Sequence, residues 1–194
     1  MTFETAKAMR DAPGADIHSA LGRIAVVAIG RNEGARLAAC LDSIPGDVAA
    51  LVYVDSGSTD ESVATARAAG ARVVELDPTR PFTAARARNE GAAALAAAGI
   101  APDYLQFVDG DCTLVPGWLE TAAHFLDATP QAAVVCGRRR ERFPEASVYN
   151  RLCDREWDTP LGKTRACGGD ALMRRAAFAA AGGFRGDLIA GEEP

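Results

Sequence analysis

The sequence predicts an α/β fold, a single domain with a mixed, mostly parallel, Rossmann-like sheet flanked by helices on both faces. Two observations support this prediction. Short apolar runs alternate with helix-like segments through about residue 137, and such alternation is typical of parallel strands joined by right-handed crossovers. The chain has 194 residues, 48% of them hydrophobic, which suffices for one buried core but not for a second full domain.

The first two strands are marked by continuous apolar runs. Residues 24–29 read Ile-Ala-Val-Val-Ala-Ile and predict a buried strand, and residues 33–44 then carry apolar side chains at helical spacing. Residues 51–54 predict the second strand. Ser58 and Glu61 have the spacing of a capping box, so we expect the second helix to begin there.

Three further strands follow at regular intervals. Residues 72–76 predict the third strand, and the alanine-rich residues 83–98 favour a helix. Residues 104–108 predict the fourth strand. A helix over residues 116–127 would have a proline in its first turn, where proline is well tolerated. Residues 132–136 predict a fifth strand.

The regular alternation ends near residue 137, and the rest of the chain is rich in arginine and glutamate with a less regular pattern. No linker-like stretch divides the two parts. We therefore expect an N-terminal extension over residues 1–22 and one domain over residues 23–194. Within that domain, residues 23–137 form the regular half and residues 138–194 the irregular half.

Composition excludes several classes of protein. A net charge of -5 argues against a general nucleic-acid binder, which normally has a basic face. Five scattered cysteines without a Cys-x-x-Cys pair favour neither a disulfide framework nor a zinc site, so a reducing cytoplasm is the expected compartment. We see no signal-peptide core and no membrane span. Arginines cluster at residues 138–142 and 174–175. We expect them either to contact phosphate or to form a solvated charged edge.

Two predicted strands end at carboxylates. Asp55 follows the second strand, and Asp109 and Asp111 follow the fourth. Ligands of open parallel sheets bind beyond the carboxyl ends of the strands, so we expect these acids to converge on one crevice. Their oxygens suit a divalent metal that bridges to a polar ligand. Alternatively, the acids bond nearby backbone N–H groups in strand-terminal turns.

Five landmarks follow one another in a fixed order. They are Arg31 to Gly34, Asp55 to Asp60, Ala87 to Gly91, Val108 to Asp111, and Gly182-Gly183-Phe184 followed by Gly191-Glu192-Glu193. In order, spacing and strand context they resemble the motifs of the family 2 inverting glycosyltransferases of the GT-A fold. The fourth is similar to that family's DXD motif. The resemblance covers about residues 24–194.

The resemblance implies a metal-dependent transfer of a sugar from a nucleoside diphosphate of the UDP or GDP type to an acceptor hydroxyl. Mn²⁺ or Mg²⁺ would neutralise the diphosphate leaving group. The acceptor would be a saccharide, a lipid-linked molecule or a small molecule. The regular half then binds the nucleotide and the irregular half the acceptor. Family members continue with a helix after the last motif, so we expect the acceptor half of a chain ending at Pro194 to be truncated.

The resemblance also implies roles for the acids. Asp55 would receive the base or ribose of the nucleotide, and Asp109 the ribose or a metal-bound water. Asp111 would be the direct metal ligand, with Asp109 beside it on a turn that Gly110 permits. An inverting transferase needs a general base, and the family position corresponds to Glu193, with its neighbour Glu192 as a stand-in.

Other candidates surround the expected donor site. Arg31 and Asn32 lie at the first motif, where the family usually has an aromatic residue before its asparagine, so Arg31 would stack its guanidinium or approach the diphosphate. Arg86 and Arg88 lie near a helix start, which favours phosphate. Trp157 in the irregular half is either an acceptor platform or a packing residue.

Two residues of the third motif have structural interpretations. Gly91 is expected to allow close helix packing, and Asn89 to hydrogen-bond a neighbouring loop, with a ligand contact as the alternative for Asn89.

Three alternative functions remain open. One is a catalytically incomplete module that binds sugar nucleotides. A second is a haloacid-dehalogenase-like phosphatase, because Asp109 to Thr113 satisfy the D-x-D-x-T pattern with Asp109 as nucleophile and Asp111 as acid and base. The third, nucleotidyl transfer, would favour a glycine- and lysine-bearing phosphate loop, which residues 29–33 do not provide.

Overall fold

A computed structural model describes residues 20–158, 160–164 and 167–186 of the chain. The predicted base Glu193 and its neighbour Glu192 lie outside the described residues. The strands are β1 (Ile24–Gly30), β2 (Ala50–Asp55), β3 (Arg72–Glu75), β4 (Tyr104–Asp109), β5 (Val134–Cys136) and β6 (Ala171–Arg174). The helices are α1 (Ala35–Asp42), α2 (Ser62–Ala68), α3 (Ala84–Ala97), α4 (Trp118–Ala128), α5 (Val148–Glu156) and α6 (Arg175–Ala181).

The six strands form one mixed sheet in the order β3-β2-β1-β4-β6-β5. The first four strands are parallel. β6 is antiparallel to both β4 and β5. The predicted single-domain α/β fold with a mixed, mostly parallel sheet is confirmed.

The core has two layers, one on each face of the sheet. Alternate side chains of β1 point to opposite faces, as strand geometry requires: Val26 contributes to the layer that includes α1, α2 and α4, and Val27 to the layer that includes α3 and α6. The core begins before β1, because Ala20 and Leu21, which the sequence assigned to the extension, are buried. Helices therefore cover both faces.

Two helix starts differ from the predictions. The prediction of a capping box is wrong. α2 begins at Ser62, and neither Ser58 nor Glu61 caps it with its side chain. The Ser58 hydroxyl instead accepts a hydrogen bond from the Asn32 N–H. Pro116 lies ahead of α4 rather than in its first turn. Gly117, in a left-handed conformation, is the residue that precedes this helix.

The irregular half contains more structure than its sequence indicated. It holds a short 3-10 helix (Pro144–Ala146), α5, β6 and α6. α5 buries none of its residues, and its apolar side chains Val148, Tyr149 and Leu152 are exposed. β6 has four residues and α6 begins at the next one, which leaves no turn residue to separate them.

Candidate active site

The acidic strand ends meet at one edge of the sheet. β1 lies between β2 and β4, and its last residues pair with the acids: Gly30 with Asp55, and Ile29 with Asp109. An open cleft of about 390 Å³ lies beyond this edge. Its lining includes Gly30, Ser56, Phe82, Arg88, Asp109 and Asp111.

Asp55 is buried at the base of this edge and is 3% exposed. Its Oδ2 accepts hydrogen bonds from the N–H groups of Gly57 at 2.9 Å and Ser58 at 2.8 Å. Its Oδ1 accepts the Tyr53 hydroxyl at 3.2 Å. Burial, and then the adjacent Asp55 charge, raise the pKa of Tyr53. Asp55 therefore shapes the turn that presents Ser56 to the cleft.

The two loops after β1 and β2 are bound to each other by side chains. Asn32 has a φ of 55°, which is left-handed, and its Oδ1 accepts the Thr59 N–H at 2.7 Å. The Asp60 carboxylate accepts N–H groups from both loops, Gly34 at 3.1 Å and Ser62 at 3.0 Å. Asn32 thus joins the loops beside the cleft and is not among the residues that line it.

Asp109 is held by a buried arginine. Arg88 Nη2 lies 2.8 Å from Asp109 Oδ1, and the side chain of Arg88 is 5% exposed while that of Asp109 is 33% exposed. The guanidinium lies over the Phe184 ring, 5.3 Å from its centroid. A Cβ atom on Gly169 would lie 1.8 Å from Arg88 Nη2, so any larger residue there would displace the guanidinium. Arg88 supports Asp109 from the wall of the cleft.

Asp170, which precedes β6, is a site residue that the sequence did not identify. Its Oδ1 accepts the Asp109 N–H at 3.1 Å, and its Oδ2 lies 2.9 Å from Arg139 Nε. Burial, and then the Asp109 charge, raise the pKa of Asp170. The Arg139 guanidinium also lies over the Trp157 ring, 5.4 Å from its centroid. Asp170 therefore connects the DXD-like turn to the predicted acceptor platform.

The turn between the two acids brings the chain close to β1. Gly110 N–H donates to the Ile29 carbonyl at 2.7 Å, and a Cβ atom on Gly110 would lie 3.0 Å from that oxygen. The predicted turn at Gly110 is present, with the Cys112 N–H donating to the Asp109 carbonyl at 2.9 Å. Gly110 has no left-handed φ, so the close approach to β1 is what favours a glycine there. Asp111, the next residue, is exposed. Burial and nearby carboxylates, Asp170 foremost, raise the pKa of the Cys112 thiol.

The acids of the cleft fit a divalent cation that a ligand helps to hold. Asp109 and Asp111 offer hard oxygen donors, which Mg²⁺ and Mn²⁺ accept. Across the described ranges, no group of three or more His, Cys, Asp or Glu side chains is arranged to enclose a metal. Mg²⁺ commonly binds through one or two carboxylates together with substrate phosphates. Glu33 also lines the cleft, so three carboxylates lie there, and two of them with a substrate phosphate would match that pattern.

Arg86 and Arg31 lie to the side of the acids. Arg86 Nη1 donates to the carbonyls of Asp77, Arg80 and Pro81 at 3.0 to 3.2 Å, so it fixes the loop before α3. It lines a neighbouring cavity of about 450 Å³ rather than the cleft with Asp109. Arg31 is exposed, with its guanidinium 5.7 Å from the centroid of the Phe82 ring.

The two structural predictions for the third motif are confirmed. Asn89 exchanges two hydrogen bonds with the backbone of Phe184, both of 2.9 Å. A Cβ atom on Gly91 would lie 2.4 Å from Val27 Cγ1, so the glycine allows α3 to pack closely on the sheet.

The clustered arginines are largely engaged within the protein. Arg174 and Arg175 donate to backbone carbonyls, including those of Ala132 and Pro102. In the other cluster, three guanidiniums pair with acids: Arg138 with Asp158, Arg139 with Asp170, and Arg140 with Asp154. The Arg140 contact lowers the pKa of Asp154 to about 2. The first cluster connects β6 and α6 to the regular half, and the second pairs its arginines with acids of the irregular half.

Comparison with known proteins gives consistent matches. Residues 25–185 match the sequence model of glycosyl transferase family 2. A TPR repeat-containing protein of Synechococcus elongatus is 33% identical over 135 residues, which are 69% of this chain and 31% of that protein.

Two solved structures share the fold. The mannosyltransferase PcManGT of Pyrobaculum calidifontis, solved with GDP-Man and Mn²⁺, is 23% identical with a TM-score of 0.62, over 88% of this chain and 49% of that one. Glucosyl-3-phosphoglycerate synthase of Mycobacterium tuberculosis, solved with UDP, is 28% identical with a TM-score of 0.59, over 85% and 63%.

The match covers only part of each of these proteins. The chain spans 31% of the cyanobacterial protein, and 49% and 63% of the two solved chains. Within the described residues, no helix is both long enough and apolar enough to cross a membrane.

Proposed function

This chain belongs to glycosyl transferase family 2, and we propose that it moves a sugar from a nucleoside diphosphate to an acceptor hydroxyl with inversion at the anomeric carbon. The observation that carries this proposal is the cleft beyond the strand ends, lined by both Asp109 and Asp111. Its position agrees with the rule that ligands of open α/β sheets bind at the carboxyl ends of the strands.

We assign the donor diphosphate and its metal to the β4 side of the cleft. Asp111 is exposed and is our direct ligand for Mn²⁺ or Mg²⁺, while Asp109 is a second ligand or the contact to the ribose. A divalent cation held there would neutralise the charge that develops on the diphosphate as the glycosidic bond breaks. The synthase of M. tuberculosis, 28% identical to this chain, has been solved with Mn²⁺ and UDP-glucose, which supports a metal-dependent donor site.

We assign the nucleoside end of the donor to the β2 side. The Asp55 Oδ1 atom accepts the Tyr53 hydroxyl, and a carboxylate oxygen has a second lone pair that can accept from a base or ribose. The Ser56 side of the same turn lines the cleft. Asp55 is 3% exposed and is not among the residues that line the cleft, so we propose that it acts on the nucleotide mainly through the turn that it shapes.

The acceptor belongs to the irregular half. Trp157 is half-buried, with its ring against the Arg139 guanidinium, and we propose it as a platform for the acceptor. Candidates are a saccharide, a lipid-linked molecule or a small molecule. Glu193, or Glu192 beside it, is our proposed general base for the acceptor hydroxyl. We place the reaction in the cytoplasm, because scattered cysteines favour a reducing compartment.

A panel of UDP- and GDP-sugars with Mn²⁺ tests the function. We expect release of the nucleoside diphosphate from one donor, faster with an acceptor, and a product whose anomeric configuration, read by NMR, is inverted. Glu193→Gln should slow transfer strongly, whereas the exposed Glu75→Gln should not. If Glu193→Gln kept the full rate of sugar transfer, Glu193 would not be the general base. Donor binding without turnover would indicate a binding module, and hydrolysis of a generic phosphomonoester would indicate a phosphatase.

A further inference from the structure

Phe82 is the aromatic side chain of the cleft. It comes from the loop between β3 and α3, it is half-buried, and among the described residues that line the cleft it is the only aromatic one. Nucleobases have flat π-faces that stack well on aromatic rings. A ring in this position is therefore a candidate platform for a base.

The ring lies at the end of the cleft away from the metal-binding acids. A Cβ atom on Gly57 would lie 3.1 Å from Phe82 Cζ, and the N–H of Gly57 is held by Asp55. The ring thus lies against the turn after β2, while Asp111 follows β4. Two strand spacings, about 10 Å, separate β2 from β4. A nucleoside diphosphate is elongated, with charge at one end and a base at the other, and fits this polarity.

Positive charge surrounds the ring. The guanidinium carbons of Arg31 and Arg86 lie 5.7 Å and 6.0 Å from its centroid. Cations at this distance are attracted to an aromatic face. Arg86 is fixed by loop carbonyls, whereas Arg31 is exposed.

We propose that the Phe82 ring is the surface on which the base of the donor nucleotide stacks, and that the exposed Arg31 guanidinium, which lies over this ring, gives way to the base or covers it. The inference rests on the proposed function, since it requires a nucleoside diphosphate in the cleft. Phe82, which would bind the base of the nucleotide, lies outside the five sequence landmarks. The acids at the other end would bind the metal, and the metal would hold the diphosphate.

The ring also packs against the core layer that contains α3, so the test must separate packing from stacking. Phe82→Leu keeps an apolar side chain of similar reach and removes the aromatic face. Phe82→Tyr keeps the face. Inorganic pyrophosphate has the charge of the ligand without a base, and its binding reports any general damage to the cleft.

The experiment is a calorimetric titration of UDP, GDP and inorganic pyrophosphate, each with Mg²⁺. We expect Phe82→Leu to weaken the better-bound nucleotide by about tenfold or more, the effect of losing one stacked base, and to leave pyrophosphate binding unchanged. Phe82→Tyr, which keeps the aromatic face, should lose less nucleotide affinity than Phe82→Leu. Equal losses of affinity for nucleotide and pyrophosphate, or no loss for either, would overturn base stacking on Phe82 but not the proposed function. A wild type that binds neither nucleotide would overturn the proposed function with it.

Discussion

The Arg88 guanidinium lies 2.8 Å from the Asp109 carboxylate, and the arginine is almost fully buried while the acid is one-third exposed. The two side chains therefore have different roles. The arginine neutralises and orients the acid from within the wall, and the acid faces the cleft. The sequence predicted Arg88 as a phosphate contact, and the structure makes it first a support for Asp109.

Replacing Arg88 with glutamine is expected to destabilise the protein and weaken nucleotide binding. The change leaves Asp109 without its partner, and removing one member of a buried ion pair costs about 3 kcal/mol at the low end. We choose the low end because Asp109 is 33% exposed. Urea unfolding measures the loss. The exposed pair Arg67–Glu75 provides the control, since Arg67→Gln should cost less than about 1 kcal/mol. Equal costs for the two variants would contradict the assignment.

Gly169→Ala is expected to act by displacing Arg88. The new Cβ atom would lie 1.8 Å from Arg88 Nη2, so the guanidinium must leave its place against Asp109. Thermal unfolding should show a clear loss, whereas Gly46→Ala, which has nothing within 4 Å of its Cβ position, should be close to neutral. In an Arg88→Ala background the Gly169→Ala loss should shrink, because coupled sites are not additive. An unchanged loss there would show that the glycine serves another purpose.

Two substitutions of Asp170 should separate its two contacts. Asp170→Asn keeps an oxygen that can accept the Asp109 N–H, while Asp170→Ala removes it. We expect Asp170→Ala to weaken Mg²⁺-dependent nucleotide binding by about tenfold, as the loss of an outer partner of a metal ligand does. Asp170→Asn should retain most of the affinity in the same calorimetric titration. If the two variants bound equally well, the N–H contact would not position Asp109.

Stability should depend on pH through Asp127, far from the cleft. Arg23 donates two hydrogen bonds of 2.9 Å to this carboxylate, and this pairing, with the Tyr104 hydroxyl, lowers the pKa of Asp127. A lowered pKa stabilises the fold above the ordinary carboxyl range, and that stabilisation is lost as pH falls through the lowered value. Asp127→Asn should therefore cost something under about 1 kcal/mol near pH 7, because both side chains are well exposed.

The measurement is urea unfolding of the wild type and Asp127→Asn between pH 7 and pH 3. The difference in unfolding free energy between the two proteins should shrink as the pH falls. A difference that is constant over this range would show that the ion pair does not lower the pKa of Asp127.

The sequence predicted the acidic strand ends because the signals are local: an apolar run that stops at a carboxylate places that carboxylate at a sheet edge. Asp170 was missed for the opposite reason. Its contact with Asp109 joins residues 61 apart, and it precedes a four-residue antiparallel strand without a recognisable pattern. The burial of Arg88 depends likewise on Gly169, a residue from the irregular half. A local sequence pattern does not reveal contacts between residues so far apart in the chain.

A calorimetric titration of UDP and GDP into the wild type and Asp111→Asn, with Mn²⁺ and with EDTA, tests whether Asp111 binds the metal that holds the donor. We expect one nucleotide to bind the wild type only with the metal, and Asp111→Asn to lose more than about tenfold in affinity. The exposed Asp42→Asn should bind like the wild type. Nucleotide binding that is equally tight with EDTA, or unchanged in Asp111→Asn, would show that Asp111 does not hold a metal for the donor.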